Sequence, residues 1–100
     1  MRYVIGHFSV QPGTRDEFMA KTKDYIDASR ADDGCVYFDI ALMTDNPDGL
    51  VMVECWRDQA AHKAHQASTY ASAFQPTGAA FIVNGAFQEM NVENADSVVF

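Results

Sequence analysis

Positive charge is scarce in this chain. Seven Lys and Arg stand against fourteen Asp and Glu in 100 residues, a net charge of −7. The basic residues are scattered, which argues against nucleic acid as a partner, because that affinity comes from neutralised phosphates. An anionic membrane surface is disfavoured for the same reason. Thiols are nearly absent. Cys35 and Cys55 each sit within an apolar run and match neither a zinc spacing nor a disulfide framework, so two reduced, buried thiols are expected. Six glycines are dispersed with no Gly-x-Gly, which removes the P-loop and the dinucleotide fingerprint. There is no Gly-x-Ser-x-Gly elbow. No apolar run approaches the ~18–20 residues of a membrane span, and Met1 to Phe8 lacks a signal peptide's apolar region and cleavage site. A soluble cytoplasmic protein is the expectation. Without repeats, low-complexity segments or a linker, residues 1–100 read as one domain, with a core over about 2–92 and a tail over 93–100.

What is abundant is apolar and aromatic surface, 48% and 12% of residues. Tyr3 to Val10 reads as a strand ended by Pro12-Gly13. Thr14 and Glu17 form a capping-box pattern. The helix that follows lines up Phe18, Thr22, Tyr25, Ile26 and Ser29 on one stripe, with the charged residues largely opposite. Asp32-Asp33-Gly34 ends it, Gly34 being suited to a positive φ. Cys35 to Met43 is a second strand, apolar at nearly every position, so both faces are expected to be covered. A turn cluster over Thr44 to Gly49 leads into a third strand, Leu50 to Trp56. The register of this hairpin stays open, since a one-residue slip exchanges its faces. Asp58 caps a helix over about Gln59 to Gln66. A further helical piece from Ser68 or Thr69 is expected to be interrupted or kinked by Pro76 and Gly78. Pattern alone leaves Ala79 to Val83 either in that helix or in a strand. Asn84-Gly85 reads as a turn, Ala86 to Val92 as a fourth strand, and Val98-Val99-Phe100 as apolar enough to dock. The order strand, helix, strand, strand, helix, strand is the ferredoxin-like βαββαβ plan, an α+β fold with an antiparallel sheet. Helices cover only one sheet face in that plan, so strands this apolar point to a homodimer of the dimeric α/β-barrel type, sheet against sheet.

Chemistry-bearing residues gather where the third strand gives way to a helix. Glu54 interrupts the apolar run Val51-Met52-Val53, a place where charge is costly unless partnered. Paired with Arg57 or Lys63, or wet, it is structural; in a pocket it orients an imidazole or handles a proton. Trp56 follows, then His62 and His65. His65 lies among small residues and is expected to point inward; His62 beside Lys63 is expected at the surface. His-x-x-His lacks a third ligand at a defining spacing, so no metal site is read here. His7 is a weak candidate. Trp56, Tyr37, Phe38, Tyr70, Phe74, Phe81 and Phe87 supply aromatic surface, most of it expected in the core and some of it left to line a site for a planar apolar ligand.

The segments Asp33-Gly34-Cys35-Val36-Tyr37-Phe38, Val53-Glu54-Cys55-Trp56-Arg57-Asp58, and Ala61 to His65 with Ser68 resemble the antibiotic biosynthesis monooxygenase (ABM) family. Length, element order and motif order agree over about residues 2 to 92. The resemblance implies a ferredoxin-like, usually dimeric protein with a pocket between sheet and helices, and it places Glu54, Trp56 and His65 at recurrent pocket positions. The family includes cofactor-independent quinol and anthrone monooxygenases, an isomerase of a signalling-sugar phosphate, and haem-degrading enzymes. The haem-degrading pattern is disfavoured: the first strand offers Gly6-His7 in place of Asn, and no later His can serve as ligand. The isomerase is lowered by the lack of a basic cluster for phosphate. The leading expectation is a cofactor-independent oxidation of a small phenolic or quinol-type aromatic by O2. His65 is the base, aided by a pKa that starts near neutrality; Glu54 orients it, and Tyr37, Phe38, Trp56, Tyr70 and Phe74 bind the ring. The alternatives are an isomerase of a small hydroxycarbonyl using the same pair, or a non-catalytic dimeric binding domain.

Overall fold

The computed structural model describes residues 1–100. Four strands and three helices follow in the order β1 (Arg2–Val10), α1 (Arg15–Ala31), β2 (Cys35–Leu42), β3 (Gly49–Trp56), α2 (Gln59–Gln66), α3 (Thr69–Phe81) and β4 (Ile82–Asn91). The strands form one sheet in the order β2-β3-β1-β4, all neighbours antiparallel. This is the α+β, ferredoxin-like plan, with the second helical segment divided at Ser68. No helix is long and apolar enough to cross a membrane.

The helices cover one sheet face. α1 buries Phe18, Thr22, Ile26 and Ser29. The two polar members of that stripe are tolerated because each hydroxyl donates to the carbonyl four residues back, Thr22 to Phe18 at 2.6 Å and Ser29 to Tyr25 at 2.7 Å. Phe8, Val10, Phe18 and Leu50 make one half of the core; Ile26, Phe38, Trp56 and Ala61 make the other. Arg15 ties the β2–β3 turn to α1, one guanidinium nitrogen donating to the carbonyls of Met43, Asn46 and Gly49.

The hairpin register left open by pattern is set by a bulge in β2 between Cys35 and Tyr37. Phe38 pairs with Glu54, Ile40 with Met52 and Tyr37 with Cys55. Phe38 and Glu54 therefore share the helix-covered face, and Tyr37 lies on the other. That outer face carries Tyr3, Ile5, Val51, Val53 and Tyr37 without a covering layer in this chain; Tyr37 is 39% exposed. The expectation that both faces of β2 are covered is not met within one chain.

Five local expectations are corrected. Thr14 caps nothing with its side chain; its hydroxyl donates to the Gln11 carbonyl at 2.7 Å, so the capping box does not form. Gly34 has no positive φ. It is required by close approach, because a Cβ there would collide with the Ala61 side chain of α2. Pro76 does not break α3, which continues through it to Phe81. Position 76 and the Ser72 it would bond are both exposed, so water can satisfy the freed carbonyl. Asn84-Gly85 is no turn: both residues pair with β1 inside β4, and Gly85 admits the Phe8 backbone at a distance a side chain would block. Val98, Val99 and Phe100 dock nowhere on the chain and are fully exposed. The Asp58 cap forms as expected, accepting from the Ala61 amide at 2.8 Å.

Candidate functional site

Strand alternation puts Glu54 and Trp56 on the same, helix-covered face of β3. The Trp56 indole N–H donates to Glu54 Oε1 at 2.9 Å. The cap at Asp58 starts α2 immediately above this pair, and the helix lays both of its histidines on the indole. The His65 ring lies 4.4 Å from the Trp56 ring, and His62 stacks nearly parallel at 6.1 Å. Glu54, His62 and His65 are 3%, 2% and 2% exposed. His62 is thus not at the surface. Its ring is enclosed because Arg2 reaches across from β1, Nε donating to His62 Nδ1 at 3.2 Å while its other end pairs with Glu89.

His65 is bonded on both sides. The Tyr25 hydroxyl of α1 lies 3.1 Å from Nε2, and the Tyr70 hydroxyl of α3 lies 2.7 Å from Nδ1. Tyr70 also donates to Asp32 Oδ2 at 2.8 Å. Glu54 Oε1 is 3.8 Å from His65 Nε2. Burial pushes each member of that pair toward its neutral form. Glu54 rises from 4.5 to about 7, chiefly by desolvation, with the Trp56 hydrogen bond pulling the other way. His65 falls from 6.5 to about 4, by desolvation and then by the neighbouring His62. They are not an ion pair at neutral pH, and Glu54 is the stronger proton acceptor of the two. The partners Arg57 and Lys63 play no part: Arg57 pairs with Asp33 and Asp58. The two His rings stack 6.2 Å apart, and no group of three or more His, Cys, Asp or Glu is placed to hold a metal ion.

One step along the sheet from Glu54 lies a cavity of about 200 Å³, lined only by apolar and aromatic side chains. Phe8, Phe18, Ile40, Met52, Ile82 and Phe87 line it together with Tyr25 and Phe74, the last two of which also border a more open groove of about 360 Å³ between α1 and α3. Those two rings are stacked 4.2 Å apart and border both spaces. Tyr25 is therefore the side chain that links the cavity to His65.

The chain that builds this layout is similar in sequence and fold to known proteins. Residues 1–77 match the family profile described as antibiotic biosynthesis monooxygenase. The chain belongs to the ABM family. A relative from Bacillus subtilis named "Putative monooxygenase YcnE" is 29% identical over 72 residues, which span 72% of this chain and 76% of that one. The ABM fold recurs in solved structures. Rv0793 from Mycobacterium tuberculosis superposes with a TM-score of 0.84 at 24% identity, covering 96% of this chain and 98% of the other. PA3566 from Pseudomonas aeruginosa gives 0.81 at 22% identity, covering 93% and 94%.

Within this ABM chain the expected residues divide. Glu54, Trp56, His65 and Tyr70 are brought together. Phe38 is fully buried behind His65. Phe74 is the one expected ring-binding residue that lines the cavity. Trp56 has no exposed surface, being covered by the histidines of α2, and Tyr37 sits on the opposite face against Tyr3; neither meets the cavity. Tyr25 and Asp32 were missed as site residues. For Tyr25 the signal was available: a hydroxyl on a buried stripe must find a partner.

Proposed function

We propose that this protein is a monooxygenase acting on a single-ring phenolic or hydroquinone, with O2 as the only other substrate. The observation that carries the reading is the apolar cavity whose linking side chain, Tyr25, is in contact with His65 Nε2. A cavity of about 150 Å³ suffices for benzene, so about 200 Å³ suits one ring with small substituents. A ring hydroxyl beside Tyr25 passes its proton to the Tyr25 oxygen as Tyr25 gives its own to His65 Nε2. Glu54, the stronger acceptor, then takes the proton from His65 Nε2, which returns to its neutral form. The resulting anion is an electron donor to O2. For a hydroquinone, one oxygen atom enters the ring, the other leaves as water, and the substrate supplies all four electrons in becoming a hydroxyquinone. His65 is thus a conduit and Glu54 the terminal base, which reverses the roles expected from unperturbed pKa values.

The apolar outer face of the sheet supports the second part of the proposal, a homodimer in which two such faces pack together. The test of activity is oxygen uptake with simple hydroquinones, with mass analysis of product formed under ¹⁸O2. One labelled atom per product, lost in Tyr25→Phe and His65→Ala, is expected. Ring binding without oxygen uptake would leave only a binding role.

A further inference from the structure

The structure assigns Asp32 and Tyr70 as positioning residues that hold neutral His65 in its Nδ1–H tautomer and leave the Nε2 lone pair facing Tyr25. A tyrosine hydroxyl has one proton to donate, and a carboxylate only accepts. Tyr70 lies between Asp32 Oδ2 at 2.8 Å and His65 Nδ1 at 2.7 Å. Its proton goes to the carboxylate, because a hydrogen bond to a charged acceptor is the stronger one. The Tyr70 oxygen then faces Nδ1 with lone pairs, and only a protonated Nδ1 satisfies it. Nε2 is left bare opposite the Tyr25 hydroxyl at 3.1 Å, which can donate to it. The opposite tautomer would set the Tyr70 oxygen and the Asp32 carboxylate against each other, whereas the Tyr25 hydroxyl can turn to accept from Nε2–H as readily as donate to a bare Nε2, so the choice is made at Nδ1. Asp32 has a reason to stay in place: its other oxygen accepts from the Gly34 amide at the α1–β2 junction. α1 with its C-cap, and α3, thus set the tautomer of a residue carried on α2.

The catalytic consequence rests on the proposed proton path, but the tautomer does not, so it is measured without substrate. Long-range ¹H–¹⁵N correlation of ¹⁵N-histidine protein near pH 7.5 distinguishes a protonated from a bare ring nitrogen. Wild type is expected to show His65 with Nδ1 protonated and Nε2 bare. Tyr70→Phe removes the acceptor, and Asp32→Ala frees the Tyr70 proton to turn toward Nδ1; both are expected to convert His65 to Nε2–H, with the amide spectrum confirming a retained fold. If Tyr70→Phe does not fold, Asp32→Ala carries the test. An Nε2–H signal in wild type, or Nδ1–H retained in both variants, overturns the assignment. A shift in Tyr70→Phe alone overturns the part given to Asp32. The expected tautomer in a protein that takes up no oxygen would sink the oxygenase reading and leave this one standing. Oxygen uptake with the opposite tautomer would do the reverse.

Discussion

Glu54 and His65 are buried titratable groups whose pKa values move in opposite directions, and the two shifts predict a characteristic pH response. Glu54 binds its proton more tightly when folded, about 7 against 4.5. Its neutral form is therefore favoured by folding, and stability falls as pH rises from 4.5 through 7. His65 binds its proton less tightly when folded, about 4 against 6.5, so stability rises as pH rises from 4 through 6.5; His62, also lowered by burial, adds the same sign. Each shift amounts to roughly 3 kcal/mol. The slopes oppose one another over about pH 4.5 to 6.5, and wild-type stability there should be comparatively flat. In Glu54→Gln only the rising slopes remain, and in His65→Gln the falling slope is opposed by His62 alone. Urea denaturation at half-unit pH intervals reads both slopes, and equal curves for the two variants would contradict the assignment. The same values bear on rate. If Glu54 is the terminal base, kcat/KM should climb with pH to a plateau above about 7, and Glu54→Gln should lose on the order of 10²-fold or more. Glu54 and Trp56 were legible because a charge breaking an apolar run needs a reason. His62 was misread because the residue that encloses it, Arg2, is sixty positions away.

At the scale of elements, the site depends on how closely α2 sits on the β1–β3 end of the sheet. Asp58 starts the helix, and Gly34 lets it descend until Ala61 meets the backbone of the α1–β2 junction. Gly34→Ala should therefore lift α2 and destabilise the fold by about 1–3 kcal/mol, the usual result of overpacking. A lower urea midpoint, accompanied by a change in the fluorescence of the lone Trp56 beneath the helix, is the expected result; an unchanged midpoint would mean α2 is not held by this contact. The strands and helices themselves were largely readable from periodicity and caps. The failures are of one kind. Thr14, Gly34, Pro76 and Gly85 are local turn, cap and breaker signals, and each was overruled by another partner: the nearby Gln11 carbonyl for Thr14, solvent for Pro76, and residues distant in sequence for Gly34 and Gly85.

For the molecule as a whole, one sheet face is sealed by three helices and the other is not. Tyr3, Ile5, Val51, Val53 and Tyr37 form an apolar surface of a kind that soluble proteins seldom leave bare. Val53 lies opposite Ile5 near the middle of that surface. If the proposed homodimer forms through this face, Val53→Lys, which would bury a charge between the sheets, is expected to convert it to a monomer in light scattering coupled to size exclusion. Wild type eluting as a monomer at high micromolar concentration would refute the sheet-to-sheet dimer.

Alternation and turn chemistry in the sequence were enough to determine the ferredoxin-like plan, because each depends on neighbours a few residues away. The same is true of Glu54, Trp56 and His65 as the centre of interest. The tertiary structure alone decided which groups complete that centre. Tyr25 and Asp32 of α1 and its C-cap, Tyr70 of α3 and Arg2 of β1 are brought to α2 and its two histidines by packing and long-range hydrogen bonds. It also decided which of the pair holds the proton, since desolvation depends on everything stacked above a residue and leaves no mark in the residues beside it.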